Sequence, residues 1–229
     1  MADPNRALFE SVVHLLAPLL DELVFVGGCM TGLFITDPAA GGIRPTRDVD
    51  AIVDVTSYAE YTALAARLRY LGLREDSTPG APLCRWREGH LIVDIMPTDP
   101  AVLGFSNRWY PTANDTAETF RIAGHDARVV TPSLFIATKL EAFHGRGGND
   151  VFASHDLEDI IAVVDGRPEI VGDVAAADGE VRSYIANEIA VLLANRDFTE
   201  ALAGFLLPDA ASQARRDLVV RRLQQLSAP

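Results

Sequence analysis

The chain has 229 residues, and its 32 acidic side chains outnumber its 20 basic ones to give a formal charge of −12 at pH 7. Apolar residues make up 48% of the chain, which excludes an intrinsically disordered or fibrous protein. No apolar run approaches the roughly 18 residues of a membrane-spanning helix, and Asp3, Arg6 and Glu10 interrupt the stretch that a signal peptide would occupy. We therefore expect a globular cytoplasmic protein with no membrane association, in which Cys29 and Cys84 are reduced core thiols.

The first part of the chain alternates between a helical hydrophobic period and the two-residue period of strands. In chain order we expect a helix over residues 7–20, a strand over 23–26, a helix over 29–35, a strand over 48–55, a helix over 58–71, a hairpin over 82–96, an irregular segment over 97–117 and a hairpin over 120–130. Ser57 can cap the third of these helices and Gly72 can end it. This half therefore predicts a mixed α/β domain.

From Thr131 onward the hydrophobic period is helical. Thr131 and Pro132 form a helix N-cap followed by proline at the first helical position. Further helices are expected over residues 133–145, 155–164, 178–195, 197–206 and 211–226. We predict an α+β fold with a mixed-sheet domain over residues 1–130 and an all-helical domain over residues 131–229.

Three carboxylates form the main chemical pattern in the sequence. Asp48 and Asp50 lie two residues apart on one predicted strand, so their side chains project from the same face. Asp94 lies within the otherwise apolar strand 91–96, where a lone carboxylate is costly unless it is paired or binds a metal. If the two strands are neighbours, all three carboxylates converge.

Carboxylate ligands of this kind suit Mg²⁺, and two such ions about 4 Å apart can hold the attacking and leaving oxygens of a displacement at phosphorus. The alternative is structural: Asp48 and Asp50 are solvated, and a neighbouring arginine pairs with Asp94. The turn at Gly27 and Gly28 favours the metal site, because free amides at a helix start can hold a phosphate. A dinucleotide-binding unit is excluded because its G-x-G-x-x-G fingerprint lacks the second glycine here.

These segments together resemble the DNA polymerase β-like nucleotidyltransferase superfamily. The residues that carry the resemblance are Val26-Gly27-Gly28, Asp48-Val49-Asp50 and Val93-Asp94-Ile95. A closer resemblance is to the AbiEii/AbiGii family of nucleotidyltransferase toxins, through residues 44–50 and 138–142 together with Arg146. It covers most of residues 22–165, and the family's lysine signature falls on Lys139, the single lysine among the 20 basic residues.

The resemblance implies a polymerase β-like mixed-sheet domain and a helical domain that completes an NTP cleft. In that arrangement Asp48, Asp50 and Asp94 bind two Mg²⁺ ions, or Mn²⁺ in their place, and Asp94 lies next to the acceptor hydroxyl. Gly27 and Gly28 border the triphosphate. Thr46 and Arg47 belong to the matched segment and are assigned to nucleotide binding.

The helical domain is implied to supply the remaining contacts to the triphosphate. Lys139 and Arg146 lie seven residues apart, two helical turns on one face, and would hold the triphosphate from this second half of the chain. Asp156 and Asp159 match acids that follow the lysine helix in the family and would orient Lys139 or Arg146. Alternatively, they are acids of the first helical turn after Ser154.

The resemblance implies an enzyme that transfers a nucleoside monophosphate from an NTP to an acceptor hydroxyl and releases pyrophosphate. It further implies a toxin of a toxin–antitoxin pair that acts on RNA, with the tRNA 3′ end as one candidate acceptor and a cognate antitoxin as a partner. The net charge of −12 opposes RNA binding, which depends on basic residues. The candidate basic cluster consists of Arg215, Arg216, Arg221 and Arg222.

Two alternatives to the RNA-directed toxin follow. The first is a small-molecule nucleotidyltransferase, such as one that modifies a cationic aminoglycoside, because an acidic protein attracts a cationic substrate. The second is a catalytically inactive module that binds a nucleotide or a partner protein. Metal-dependent incorporation of a nucleotide separates the second alternative from both enzymes.

Overall fold

The computed structural model describes residues 3–145 and 150–228. The chain divides into two compact units. One comprises residues 4–30 and 45–131, which we call the sheet unit. The other comprises residues 1–3, 31–44 and 132–229, which we call the helical unit. Residues 31–44 thus belong to the helical unit although they lie between two strands of the sheet unit in sequence.

The described residues form seven strands and twelve α-helices, numbered here in chain order. The strands are β1 (Leu23–Val26), β2 (Val49–Val53), β3 (Arg74–Glu75), β4 (Arg85–Glu88), β5 (Leu91–Pro97), β6 (Glu118–Ile122) and β7 (His125–Val129). The helices are α1 (Arg6–Leu15), α2 (Thr31–Phe34), α3 (Tyr58–Tyr70), α4 (Pro100–Leu103), α5 (Tyr110–Asp115), α6 (Pro132–Gly145), α7 (His155–Gly166), α8 (Ile170–Ala176), α9 (Gly179–Ala194), α10 (Arg196–Ala201), α11 (Ala210–Ala214) and α12 (Arg216–Leu226). Short 3₁₀ helices lie at Ala17–Leu19, Gly28–Met30 and Leu202–Phe205.

The seven strands form one mixed sheet in the order β3-β4-β5-β2-β1-β7-β6. β2 pairs in parallel with β5 and antiparallel with β1, and β4 pairs antiparallel with β5. All four residues of β1 are buried, as expected of an apolar central strand with both faces covered. Helix α1 packs against this strand, with the Phe9 and Phe25 rings edge-on at a centroid distance of 5.0 Å.

Helix α3 begins at the cap that the sequence predicts. The Ser57 hydroxyl accepts a hydrogen bond from the backbone N–H of Glu60, and the Glu60 carboxylate accepts one from the backbone N–H of Ser57. Tyr61, Leu64 and Leu68 then form its buried face. These local signals are sufficient to define the helix, because capping and periodicity agree.

The helical unit is built around α6, whose residues from Pro132 to Leu140 are all buried. A helix that is buried on all sides is typical of the centre of a bundle, and α6 contacts α7, α8 and α9. Phe34 of α2 packs edge-on against Phe135 of α6, with ring centroids 5.2 Å apart. This contact explains why α2 belongs to the helical unit.

The architecture is α+β, as predicted, but several predicted elements differ in detail. The segment expected to be irregular contains α4 and α5, and neither β3 nor α8 was expected from the sequence. The helix expected over residues 29–35 is a 3₁₀ turn followed by α2, and the helix expected over 211–226 is broken at Arg215. The elements missed in this way, β3, α2, α4, α5, α8 and α11, have two to seven residues each, and hydrophobic periodicity gives little signal over so few residues.

Both cysteines, Cys29 and Cys84, are buried thiols, as the sequence predicts. Burial raises the pKa of the Cys84 thiol to about 12. Among the described residues, the helices are too short or too polar to cross a membrane.

Candidate active site

Three adjacent strands of the sheet unit bring two carboxylates and an arginine into one row. Asp50 of β2 lies directly opposite Asp94 of β5, and Asp94 lies directly opposite Arg85 of β4. Side chains of directly paired residues project from the same face of a sheet. The row Asp50–Asp94–Arg85 therefore lies on one face of the sheet. The strands that carry Asp50 and Asp94 are neighbours, which is the condition for the carboxylates to converge.

Asp48, just before β2, joins this row through Arg85. The Arg85 guanidinium donates from Nε to Oδ1 of Asp94 at 2.8 Å and from Nη2 to Oδ2 of Asp94 at 2.7 Å. The same Nη2 also donates to Oδ2 of Asp48 at 2.9 Å. These hydrogen bonds to Asp94 raise the pKa of Arg85 above its usual value, so the guanidinium stays charged. Asp94, which is 7% exposed, is thus paired with an arginine, as the structural alternative expects.

Gly27 brings the backbone that follows β1 close to Asp50. Its φ is +74°, and a Cβ atom at this position would lie 1.9 Å from Oδ2 of Asp50. An L-residue is disfavoured at this φ, and no side chain can occupy that distance. Gly28 begins the 3₁₀ turn that follows. The two glycines therefore form the tight turn that the sequence predicts, and its backbone lies against one of the three carboxylates.

Thr46 shapes the backbone that leads into β2. Its hydroxyl donates to the carbonyl oxygen of Asp48 at 2.6 Å, and its backbone N–H donates to Oδ1 of Asn5 at 2.8 Å. Asn5 is 1% exposed, so this contact ties Thr46 to the interior of the sheet unit. Arg47, which lies between Thr46 and Asp48, is exposed. Asn5 carries no sequence signal for this role, because its partner lies far away along the chain.

The donor atoms of Asp48, Asp50 and Asp94 are all carboxylate oxygens, which fits a hard divalent cation such as Mg²⁺. Within residues 3–145 and 150–228, no three acidic, histidine or cysteine side chains are already arranged as a metal site. The Arg85 guanidinium donates to oxygens of Asp48 and Asp94 that an ion would bind. The three carboxylates therefore suit Mg²⁺, and the Arg85 guanidinium is hydrogen-bonded to two of them, Asp48 and Asp94.

A second charged cluster lies inside the helical unit, around Lys139 of α6. The Lys139 ammonium donates to Oδ1 of Asp156 at 2.9 Å and to Oδ2 of Asp159 at 2.7 Å. Arg44 donates to the same oxygen of Asp159 at 3.0 Å. The residues Lys139, Asp156 and Asp159 are 7%, 3% and 1% exposed. Arg146, which the sequence pattern groups with Lys139, lies outside the described residues.

The buried Lys139 ammonium is held in its charged form. Burial by itself lowers the pKa of a lysine, but the carboxylates of Asp159 and Asp156 outweigh this effect and raise the Lys139 pKa above its usual value. The sequence allows Asp156 to be either a partner of Lys139 or an acid of the first helical turn, and in the structure it is both. It is an ion-pair partner of Lys139, and it lies in the first turn of α7, where Ser154 caps the helix by accepting the backbone N–H of Leu157.

The arginine cluster near the C-terminus is split between two environments. Arg222 is buried and donates to the carbonyl oxygens of Val164 and Asp165 at 2.7 and 2.6 Å. Arg215 contacts the Asp165 carboxylate at 2.6 Å. Both side chains therefore close the C-terminal end of α7, where cations are favoured. Arg216 and Arg221 are exposed.

Neither a protein-family profile nor a curated protein sequence matches the chain. Two solved structures align with most of the chain. An antigenic nucleotidyltransferase-like protein from Paracoccidioides brasiliensis aligns with a TM-score of 0.49 at 20% identity, over 85% of this chain and 92% of that one. The antibiotic-resistance factor ANT(2'')-Ia aligns with a TM-score of 0.50 at 15% identity, over 82% of this chain and 95% of that one. The mixed sheet and the second of these similarities together show that the chain has the nucleotidyltransferase fold.

Proposed function

We propose that this protein is a metal-dependent nucleotidyltransferase that transfers a nucleoside monophosphate from an NTP to an acceptor hydroxyl and releases pyrophosphate. The observation that carries the proposal is the pairing of Asp50 with Asp94 on neighbouring strands, with Asp48 linked to Asp94 through Arg85, within a nucleotidyltransferase fold. Carboxylates that share a site repel one another unless a cation compensates their charge, as Arg85 does for Asp48 and Asp94 in this structure. A polymerase β-like metal site accounts for both their number and their position.

In this proposal Asp48, Asp50 and Asp94 hold Mg²⁺, with two ions expected and Mn²⁺ able to replace them. When bound, the ions neutralise the charge that develops on the transferred phosphoryl group and orient the reacting oxygens. Asp94 orients or deprotonates the acceptor hydroxyl. The lack of a side chain at Gly27 leaves room for the Asp50 carboxylate, which supports a positioning role for the glycine turn.

The triphosphate is proposed to lie along Gly27 and Gly28, with Thr46 and Arg47 contributing to nucleotide binding. Arg47 is exposed, so a phosphate can reach its guanidinium. The hydrogen bonds of Thr46 to the Asp48 carbonyl oxygen and to Asn5 support a role in fixing the backbone that carries the Asp48 carboxylate as well.

Lys139 and Arg146 are proposed to hold the leaving pyrophosphate, as the resemblance implies. The ion pairs of Lys139 with Asp156 and Asp159 support the proposal that these acids orient the lysine. The same ion pairs also give Lys139 a structural role, which any variant at this position must take into account.

Two acceptor classes are candidates. The resemblance implies an RNA acceptor, such as the tRNA 3′ end, for a toxin with a cognate antitoxin. The burial and pairing of Arg222 and Arg215 favour the second class, a cationic small molecule such as an aminoglycoside, because these arginines do not present an RNA-binding surface. The net charge of −12 favours a cationic acceptor as well. One similar structure is that of an antibiotic-resistance factor.

The proposal is tested by incubating the full-length protein with Mg²⁺ and each α-labelled NTP in turn, with total tRNA or an aminoglycoside panel as acceptor. We expect label on one acceptor with the parent protein and none with Asp48→Ala or with EDTA. Asp54→Asn is a matched control, because Asp54 follows the other end of β2 and accepts a hydrogen bond from Thr98. This control should transfer label at the parental rate.

Transfer by Asp48→Ala at the parental rate would contradict the assigned metal site. NTP binding without transfer to either acceptor class would favour the inactive binding module. Transfer that is equally fast in EDTA would exclude metal dependence.

A further inference from the structure

Arg85 contacts the oxygens that a metal ion would need. Its guanidinium donates to both carboxylate oxygens of Asp94 and to one of Asp48, over distances of 2.7 to 2.9 Å. An arginine that binds a carboxylate with two parallel hydrogen bonds is held in a fixed orientation. The contact is therefore a defined pairing and differs from the loose ion pairs of an exposed surface.

The arginine and a divalent ion cannot share these oxygens. Mg²⁺ binds carboxylate oxygens at about 2.0–2.1 Å, so an ion on Asp48 and Asp94 would lie within a few ångströms of the guanidinium. Two cations at that distance repel strongly in a partly buried site. Binding of the ion thus requires the Arg85 side chain to leave.

The surroundings of Arg85 allow its side chain to move while its backbone stays in place. Within the sheet unit, its backbone N–H donates to the carbonyl oxygen of Pro82, and its carbonyl oxygen accepts from the backbone N–H of Asp76. The side chain is 22% exposed, so it has a route to solvent. Asp94, in contrast, is nearly buried, and its charge would be uncompensated if no cation were present.

We propose that Arg85 is a built-in counter-ion that holds Asp48 and Asp94 together in the metal-free protein and leaves them when a divalent cation binds. The proposal rests on the proposed function, because it concerns the same carboxylates. Arg85 is a positioning residue: its guanidinium bridges the two carboxylates, and it lowers the affinity for the ion. Substitution of Arg85 therefore lowers the stability of the metal-free protein but raises its affinity for the ion.

The test measures Mn²⁺ binding to the full chain without nucleotide, from the electron paramagnetic resonance signal of free Mn²⁺. We expect Arg85→Gln to bind Mn²⁺ about tenfold or more tightly than the parent, because a positive charge beside the ion is gone. The Mn²⁺ affinity of Arg85→Lys should lie between that of the parent and that of Arg85→Gln. Arg87→Gln is the matched control: Arg87 lies two residues further along the same strand face and pairs with Asp76 at 2.6 Å.

Thermal unfolding gives a second measurement. In EDTA we expect Arg85→Gln to melt below the parent, and Mn²⁺ should raise its melting temperature by more than it raises that of the parent. If Arg85→Gln does not fold, the comparison is made with Arg85→Lys, which retains the charge but not the paired hydrogen bonds.

Two results would overturn the inference in distinguishable ways. Unchanged or weaker Mn²⁺ affinity in a folded Arg85 variant, with binding that still depends on Asp48 and Asp94, would refute the role of Arg85 alone. Mn²⁺ binding that is absent, or that Asp48→Asn and Asp94→Asn leave unchanged, would refute the proposed metal site and the inference with it.

Discussion

At Gly27 the backbone passes so close to Asp50 that any side chain must displace the carboxylate. We expect Gly27→Ala to reduce nucleotidyl transfer at least tenfold and to weaken Mn²⁺ binding, because its Cβ would lie 1.9 Å from Oδ2 of Asp50. Gly124→Ala is the control: Gly124 has a φ of +85° but nothing within 4 Å of its Cβ position. Both variants carry backbone strain of about 1–2 kcal/mol. Equal activity in the two variants would contradict the positioning role of Gly27.

The sequence identifies some site residues and hides others. Asp94 can be selected because a carboxylate in an apolar strand violates the local pattern, and such violations mark sites, whereas Asp48 and Asp50 can be selected by their two-residue spacing on one strand face. Arg85 cannot be selected, because an arginine on a strand is ordinary and its pairing depends on the register of β4 against β5. A buried Asp94 needs a paired cation such as an arginine, but the sequence does not identify which arginine that is.

Among the elements, α3 and β5 are joined by the buried phenol of Tyr61. Its hydroxyl donates to the carbonyl oxygen of Ile95 at 3.2 Å, and burial raises the pKa of Tyr61 to about 12. The usual value is about 10, so the folded state retains a proton that the unfolded state loses between these two values. The stability that Tyr61 contributes is therefore fully present below pH 10 and is lost as the pH rises toward 12.

We expect the free energy of unfolding of the parent to fall by about 1 kcal/mol more than that of Tyr61→Phe between pH 9 and pH 11. Urea unfolding of both proteins at the two pH values measures the difference. Parallel pH profiles would show that folding leaves the pKa of the Tyr61 phenol unchanged.

In the helical unit, α6 and α7 are joined by the buried ion pairs of Lys139. Lys139→Met leaves Asp156 and Asp159 without this cation, and we expect a loss of about 3–5 kcal/mol in the free energy of unfolding. Arg196→Met removes an exposed ion pair with Glu200 and should cost less than about 1 kcal/mol. Denaturant unfolding compares the two. Similar losses would show that the Lys139 cluster contributes no more than a surface pair.

Elements with strong local signals are predictable from the sequence, and those set by distant contacts are not. Helix α3 has a capping box and a buried face, so both its existence and its start follow from the sequence. Helix α4 has a start signal, Asp99 followed by Pro100, but its four residues are too few to show a period. Strand β3 has two exposed residues and exists because it pairs with β4.

For the molecule as a whole, the charge distribution bears on the choice of acceptor. Arg216 and Arg221 are the exposed members of the C-terminal arginine cluster. If RNA is the acceptor, we expect the double variant Arg216→Gln/Arg221→Gln to weaken tRNA binding severalfold and to lower its salt slope by about 1 for each phosphate that is no longer neutralised. The exposed Arg121, which pairs with Asp126, provides a control substitution. Transfer to a small cationic acceptor should not change in either variant.

The domain division and the acceptor are less predictable from the sequence than the fold class. The α+β class follows from the change of period near residue 130, but the inclusion of residues 31–44 in the helical unit does not, because it depends on packing such as that of Phe34 on Phe135. The acceptor depends on which surface charges remain exposed, and this cannot be read from the count of 32 acidic and 20 basic residues.

Nucleotidyl transfer is defined by which phosphorus atom moves to the acceptor, and one measurement tests it directly. The protein is incubated with Mg²⁺ and with the acceptor, tRNA or aminoglycoside, that receives label in the first experiment. The NTP carries its label at the α-phosphorus in one reaction and at the γ-phosphorus in the other. We predict that the α-label appears on the acceptor and the γ-label in pyrophosphate, and that Asp48→Ala and Asp94→Asn abolish both. Transfer of the γ-label to the acceptor, or release of the α-label as free nucleoside monophosphate only, would contradict nucleotidyl transfer.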